Sequence, residues 1–233
     1  MNYFLGGYYL IKVRPASFGS VKDRYIQTCS SCINDSLLED WAYSWDTQND
    51  KNLNEIISLY KIQATLIPKI RNWVDLKLEE GKIGWVNLFR DLQSAQTYQE
   101  AFFSHLKDIK LMAIYFDTQE MDHLIDDFNP ENDAQGNIGL YQNLKMRIPE
   151  IKSANEKFIG YDIIGIELDG NFHTFHCHDL ANQLATNFNI HTNEFGLYNS
   201  IPNMSEVLDF MNNEDNGFEP VPWFIVKTTQ ILA

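Results

Sequence analysis

The sequence predicts an α+β protein in which several helices pack against a mixed, mostly antiparallel sheet. Three observations lead to this prediction. Apolar residues recur at helical spacing through much of residues 53–106, which indicates a helix-rich first half. Strand-like runs alternate with short helical patterns after Lys110, and the dipeptide Asp169-Gly170 separates two of those runs as a hairpin turn.

The first half begins with a strand and continues with three amphipathic helical patterns. Residues 8–13 are rich in aromatic and β-branched side chains, which favour strands, and Pro15 ends the run. Pro68 breaks or kinks the first helical pattern, and Gly81 is a suitable C-cap for the second. Each pattern has an apolar face that must be buried against another element. The apolar positions are, pattern by pattern, Leu53, Ile56, Ile57, Tyr60, Ala64 and Ile67; Ile70, Trp73, Val74 and Leu78; and Leu88, Leu92, Ala95, Tyr98, Phe102 and Leu106.

The second half alternates between strands and short helices, and polar residues suited to helix N-caps separate them. The expected strands are residues 111–116, 161–168, 171–177 and 221–229. The expected N-caps are Thr118, Asp179 and Ser205, each before a short apolar helical pattern.

We interpret residues 1–233 as a single α+β domain. The polar stretch 129–137, which contains Pro130, Asp133 and Gly136, is where a subdomain boundary would lie. One continuous sheet that takes strands from both halves is equally compatible with this stretch.

The hairpin turn also predicts a register. A two-residue turn at Asp169-Gly170 places His173 opposite Ile166 and Phe175 opposite Ile164. Because both partners are apolar, His173 is expected to be a hydrogen-bonded core histidine and not a metal ligand.

The charge is divided unevenly along the chain. Residues 1–110 contain 13 basic and 13 acidic side chains, whereas residues 111–233 contain 5 and 19, so the second part carries the whole formal net charge of −14. A surface of one sign attracts partners of the opposite sign and speeds their association. We therefore expect a basic protein partner, and we expect neither nucleic acid nor an anionic membrane, which both require clustered lysine and arginine.

The composition is typical of a cytoplasmic protein. The first eleven residues have no leading positive charge, and two glycines interrupt their apolar residues, unlike a signal peptide. No apolar run approaches the ~20 residues that span a bilayer. Three cysteines, an odd number, suggest a reducing compartment and not a disulfide framework.

The segment 173–179 contains three histidines, a cysteine and an aspartate, which are side chains that bind zinc. On a strand, His176 and His178 point one way while His173 and Cys177 point the other, so the four do not converge. A metal-dependent hydrolase that uses His176, His178 and Asp179 is nevertheless the alternative function. The preferred interpretation assigns no metal, no other cofactor and no catalytic residue, because no P-loop, GxGxxG, GxSxG or HExxH motif occurs.

Two acidic clusters are candidates for contact with a basic partner. In such an interface the carboxylates steer the partner and a neighbouring aromatic ring supplies packing energy. The first cluster lies on the expected helix near residue 120 and in the loop after it, and the second precedes a tryptophan. The candidate residues are Asp122, Asp126, Asp127, Glu131 and Asp133 in the first cluster, and Glu214, Asp215, Glu219 and the aromatic anchor Trp223 in the second.

Several segments with characteristic aromatic and glycine placement carry a family resemblance. They include Gly81-Lys82-Ile83-Gly84-Trp85 and Asp169-Gly170-Asn171-Phe172-His173-Thr174-Phe175-His176, within the stretches 73–89, 160–178 and 219–227. Together they resemble bacterial immunity proteins that are encoded beside polymorphic or contact-dependent inhibition toxins. The resemblance implies a toxin-binding role, but it transfers no catalytic residue and it does not fix the fold, since immunity proteins are structurally varied.

The resemblance and the charge distribution together predict an immunity protein that covers the active surface of a cognate, basic toxin. Many such toxins are nucleases with a basic substrate-binding surface, which an acidic protein can cover. Besides the metal-dependent hydrolase, a scaffold or assembly protein without inhibitory activity is a further alternative.

Overall fold

A computed structural model describes residues 2–13, 54, 57–58, 60–83, 88–127, 138–150, 154–166, 172–176 and 180–232. Within these ranges, only the backbone is described for His123, Asp126, Asp127, residues 138–141, Phe172, Leu180 and Glu214. The described strands and helices form an α+β fold, which confirms the predicted fold class.

The described strands form one sheet in the order β1-β2-β5-β3-β4, and every pairing between them is antiparallel. The sheet takes strands from both sides of Lys110, as the sequence suggested, and β5 lies at its centre with a partner on each edge. The strands are β1 (Tyr3–Lys12), β2 (Ile109–Asp117), β3 (Glu156–Ile166), β4 (Phe172–Thr174) and β5 (Trp223–Ile231).

Six described α-helices surround the sheet, and the second continues into a π-helical turn at Gln99–Phe103. They are α1 (Ile67–Glu79), α2 (Leu92–Tyr98), α3 (Thr118–Asp127), α4 (Ile138–Lys145), α5 (Leu180–Phe188) and α6 (Met204–Met211).

Helices α3 and α4, together with the segment before α6, cover one face of the sheet. Alternate residues of the strands, such as Tyr9, Ile114 and Phe224, form this face and are at most 1% exposed. Met121 and Leu124 of α3 pack against them, as do other apolar residues from α4 and the segment before α6. Burying these side chains removes a large apolar area from water, and the resulting hydrophobic effect is the main contribution to the stability of the fold.

The opposite face is covered by helices at its two ends only. At one end, the apolar sides of α1 and α2 bury Leu10 and Leu111. At the other end, α5 and α6 bury Ile163 and Ile225. Between these two groups the sheet is covered by its own long side chains.

Backbone segments outside the sheet pair with the outer edge of β1 and with the part of β3 that β4 does not reach. Tyr8 of β1 exchanges two backbone hydrogen bonds with Phe89, of 2.8 and 2.7 Å, and Tyr161 of β3 exchanges two with Tyr198, of 2.7 and 2.9 Å. Leu5 also donates to the carbonyl of Ile148 at 2.8 Å. Such cover blocks the pairing of a foreign strand at these positions.

Local signals placed several elements correctly, although some details differ. Pro68 does not break a helix but occupies the first turn of α1, where its missing N–H costs nothing. Gly81, at φ +63°, ends α1 as predicted, and the amide of Lys82 donates to the carbonyl of Lys77 at 2.8 Å in a Schellman motif. Helix α6 begins at Met204 and not after Ser205.

The predicted register of the hairpin is wrong by one residue. His173 pairs with Gly165 and Thr174 pairs with Ile164, so Phe175 lies beyond the end of β4. Five residues, 167–171, separate the paired positions instead of two, and changing the loop length shifts every cross-strand pair.

Two predictions about the first half and the domain organisation stay predictions. Residues 14–53 and the proposed boundary at 129–137 lie outside the described residues. Before Lys110 the structure describes the helices α1 and α2 and the helical residues 54, 57–58 and 60, which belong to the first predicted pattern. Helix α4 was not among the elements predicted from the sequence. Its Asn143 is 1% exposed and donates to the carbonyls of Gly6 and Arg90, both at 3.1 Å.

Gly160 is expected to be essential for the packing of β3. It has φ +157°, and an added Cβ would lie 2.6 Å from Leu197 Cβ and 3.0 Å from the carbonyl oxygen of Tyr198. We expect Gly160→Ala to lower the free energy of unfolding by about 2 kcal/mol or more, measured by urea denaturation. Gly217→Ala, with φ +75° but nothing within 4 Å of the new Cβ, is the control and should cost about 1 kcal/mol. Equal losses in the two variants would contradict the packing argument.

Candidate functional site

A cavity of about 480 Å³ lies between the start of α3 and helix α6, at the end of the sheet where β5 begins. Trp223 and Ile225 of β5 contribute to its apolar floor. The carboxylates of Asp117, Glu120 and Asp209 line it. No lysine, arginine or histidine is among the described residues around it. We call this cavity the acidic pocket. It suits a ligand with an aliphatic stem and a positively charged end.

Two of these carboxylates are positioned by the direct connection between β2 and α3. The Asp117 carboxylate accepts a hydrogen bond from the backbone amide of Glu120 at 2.9 Å, so it caps the start of α3. The sequence suggested Thr118 for this role, but the Thr118 hydroxyl instead donates to the carbonyl of Asn2 at 3.5 Å. The cap aligns Asp117 and Glu120 beside the pocket.

Glu120 has the most perturbed carboxylate in the acidic pocket. Burial and, secondarily, the nearby Asp117 carboxylate raise its pKa to about 7. A hydrogen bond from the backbone amide of Ile225, at 3.3 Å, partly opposes this increase in pKa. A cation in the pocket would favour the ionised form, so Glu120 is suited to binding a positively charged group.

Helix α6 supplies the third carboxylate. Asp209 is exposed, and it lies one residue after Leu208, which also lines the pocket. The helix begins after Asn203, which has φ +55° and donates through its side chain to Glu206 at 3.2 Å. The walls of the pocket therefore come from two separate helices.

Of the first acidic cluster from the sequence, the structure describes α3 only. Asp122 forms an ion pair with Arg147 at 2.8 Å, and about half of each side chain is exposed, so the pair leaves the carboxylate accessible and contributes little to stability. Asp126 and Asp127 lie in the last turn of α3. Glu131 and Asp133 lie outside the described residues.

The second acidic cluster follows α6 directly. Glu214 and Asp215 belong to a short 3-10 helix, Asp215 is exposed, and Glu219 is partly exposed. Trp223 is only 1% exposed, and its indole N–H donates to the carbonyl of Glu219 at 3.3 Å. Trp223 is therefore a core residue at the floor of the acidic pocket and not a surface anchor, because the apolar contacts of α6 bury its ring.

The described part of the histidine cluster is committed to the fold. The His176 ring donates from Nε2 to the carbonyl of Gly196 at 2.7 Å and stacks on Phe175, with ring centroids 4.1 Å apart. His178 and Asp179 lie outside the described residues. Within the described ranges, no three His, Cys, Asp or Glu side chains are grouped closely enough to hold a metal ion.

A second cavity, of about 310 Å³, has the opposite electrostatic character. Residues from the first half line it, including Lys61, Lys69 and His105, and no described acidic residue does. The two cavities thus follow the charge difference between the halves of the sequence: the basic one is lined by residues before Lys110 and the acidic one by residues after it.

Sequence reasoning named Trp223 but missed all three carboxylates that line the acidic pocket. A signal for two of them exists, because Asp117 and Glu120 are three positions apart, as in a capping box. The third, Asp209, has no local signal, since its place depends on how α6 packs against the sheet.

No protein-family model, curated protein or solved structure matches the chain. None of the helices in the described ranges is both long enough and apolar enough to cross a membrane. The site is therefore interpreted from its geometry and charge.

The raised pKa of Glu120 predicts a pH-dependent stability. Between about pH 4.5 and 7 the folded protein holds a proton on Glu120 that the unfolded chain releases, so the free energy of unfolding falls as the pH rises through this window. We expect Glu120→Gln to remove this dependence. The free energy of unfolding of the variant, relative to that of the unaltered protein, should therefore be higher at pH 8 than at pH 5. Urea denaturation at pH 5 and at pH 8 checks this. The prediction is contradicted if the difference in free energy of unfolding between the two proteins is the same at both pH values.

Proposed function

We propose that the chain is a bacterial immunity protein that binds a cognate, basic toxin domain and neutralises it by covering its active surface. The acidic pocket is the observation that supports this proposal most strongly. It combines carboxylates with an apolar floor, which is the combination that a lysine or arginine side chain from a partner protein needs.

The location of the acidic clusters also supports the proposal. Asp122 follows Glu120 on α3 by two residues, and the loop with Asp215 and Glu219 follows α6. Carboxylates thus continue along the chain from both helical walls of the pocket. A toxin with a basic substrate-binding surface would be drawn to these carboxylates, because electrostatic attraction steers the encounter.

Inhibition in this proposal is steric and electrostatic and requires no cofactor. The toxin's lysine and arginine side chains pair with the carboxylates, and the immunity protein then excludes the toxin's substrate across an interface of about 1,600 Å² in total. The covered edges of β1 and β3 favour contact through side chains over added strand pairing. We place this function in the cytoplasm of the bacterium that makes the toxin.

The first test asks whether the partner exists. We expect the product of the gene immediately upstream to co-purify with this chain on co-expression, and the chain to restore growth of cells that express the toxin domain. An upstream gene that encodes a structural protein, or a toxin that remains active and unbound beside this chain, would overturn the proposal.

The second test asks whether the acidic pocket steers the encounter. The double variant Glu120→Gln, Asp209→Asn should slow association with the toxin by about threefold or more at low salt, and the difference should shrink as salt increases. Stopped-flow or surface-plasmon-resonance kinetics measure this. The matched control, Asp75→Asn with Glu79→Gln, removes two exposed carboxylates from α1 and should leave the rate nearly unchanged.

The same kinetics test the acidic end of α3. The triple variant Asp122→Asn, Asp126→Asn, Asp127→Asn should also associate more slowly, because it removes three carboxylates from one helix. An unchanged association rate at low salt would exclude this helix from the interface.

A further inference from the structure

Aromatic side chains cover the middle of the second sheet face, where no described helix packs. We call this group the aromatic strip, and its members are Tyr3, Tyr8, Tyr115, Phe158 and Tyr161. The strip lies between the helix pair α1 and α2 and the helix pair α5 and α6. Its side chains cover the small residues Ala113 and Thr229, which are 0% and 2% exposed.

The aromatic strip already holds one cation of the chain itself. Lys227 of β5 lies over the ring of Tyr3, with its Nζ 5.1 Å from the ring centroid, and 5.9 Å from that of Phe158. The same Nζ forms an ion pair with Glu150, in which the two side chains are 15% and 7% exposed. Rings and a carboxylate therefore stabilise a largely desolvated positive charge at this place.

A second carboxylate beside the aromatic strip forms no ion pair with a described lysine or arginine. Glu156 accepts a hydrogen bond from the hydroxyl of Tyr115 at 3.2 Å. Burial is the largest cause that raises its pKa, the hydrogen bond from Tyr115 opposes that increase, and the charges of Glu150 and Lys227 have smaller effects, which raise and lower the pKa respectively. Among the described residues, no lysine or arginine lies within ion-pair distance of Glu156, since Lys227 pairs with Glu150.

Phe158 lies next to this carboxylate and exposes an apolar ring to solvent. It is two residues after Glu156 on β3, so both side chains project from the same face of the sheet. Phe158 is 42% exposed, and Tyr161 packs edge-on against its ring with centroids 5.2 Å apart. Tyr161 and Lys227 thus lie beside the ring, and part of it stays open to solvent.

We propose that Glu156 and Phe158 together bind an arginine side chain of the basic partner protein. The guanidinium stacks on the open part of the Phe158 ring and donates to the Glu156 carboxylate, as its planar shape and fixed N–H donors allow. The acid contributes charge and the ring contributes desolvated contact area, which is the composition of an interface hot spot. This inference rests on the proposed function for the identity of the partner as a basic protein.

A peptide probe tests the inference without the toxin. The acetylated and amidated peptide Arg-Arg-Arg-Arg is titrated into the full chain while backbone amide shifts are recorded by NMR. We expect the largest shifts from Glu156 to Tyr161, and a dissociation constant that increases about fivefold in Glu156→Gln and in Phe158→Leu. The equivalent lysine peptide should bind at least twofold more weakly, since it lacks the planar group.

A matched control separates local binding from general attraction to an acidic protein. Glu194→Gln removes an exposed carboxylate elsewhere in the second half and should leave the dissociation constant within about twofold. Because a glutamine at position 156 can still accept from Tyr115, Glu156→Gln should keep the fold, and urea denaturation verifies this.

The outcomes distinguish this inference from the proposed function. Shifts confined to the acidic pocket, or equal binding by Glu156→Gln and the unaltered chain, overturn the arginine site even if the toxin co-purifies. Localised binding of the arginine peptide supports the site even if the upstream gene product fails to bind, in which case the proposed function alone is overturned.

Discussion

The structure depends on the position of β5, which is hydrogen-bonded to β2 on one edge and to β3 on the other. A central strand has no free edge, so its side chains on both faces must be covered. This requirement explains why even Thr228 and Thr229, on opposite faces, are at most 2% exposed. Most of the described elements either pair with β5 or pack over the strands beside it.

Unequal cover of the two faces creates the surfaces that we associate with function. On the first face, α3 and α4 pack over the strands, and the interior is continuous. On the second face, the described helices cover the two ends but not the middle, so long aromatic side chains cover the strands there. The acidic pocket lies at one limit of this cover, where α6 meets the start of β5. Both surfaces thus arise because the sheet is wider than its helical cover.

The two surfaces suit different steps of one association. Exposed carboxylates such as Asp209 act over several ångströms in water and are screened by salt, so they mainly affect the rate of encounter. Glu156, Lys227 and the aromatic strip are partly desolvated, and contacts with such groups mainly affect the rate of dissociation. The basic cavity near Lys61 and Lys69 is lined by residues of the other half of the chain, in which basic and acidic side chains are equal in number.

The sequence by itself determined the α+β class, the strands around residues 111–116 and 161–166, helix α5 and the end of α1 at Gly81, because periodicity and capping are local properties. Only the tertiary structure decided the hairpin register, the burial of Trp223, and the position of Glu120 and Asp209 in the lining of one cavity. Each of these depends on contacts between residues far apart in the chain, and a local pattern carries no information about them. The juxtaposition of Glu156 with Tyr115 likewise exists only because β5 brings β2 and β3 into one sheet.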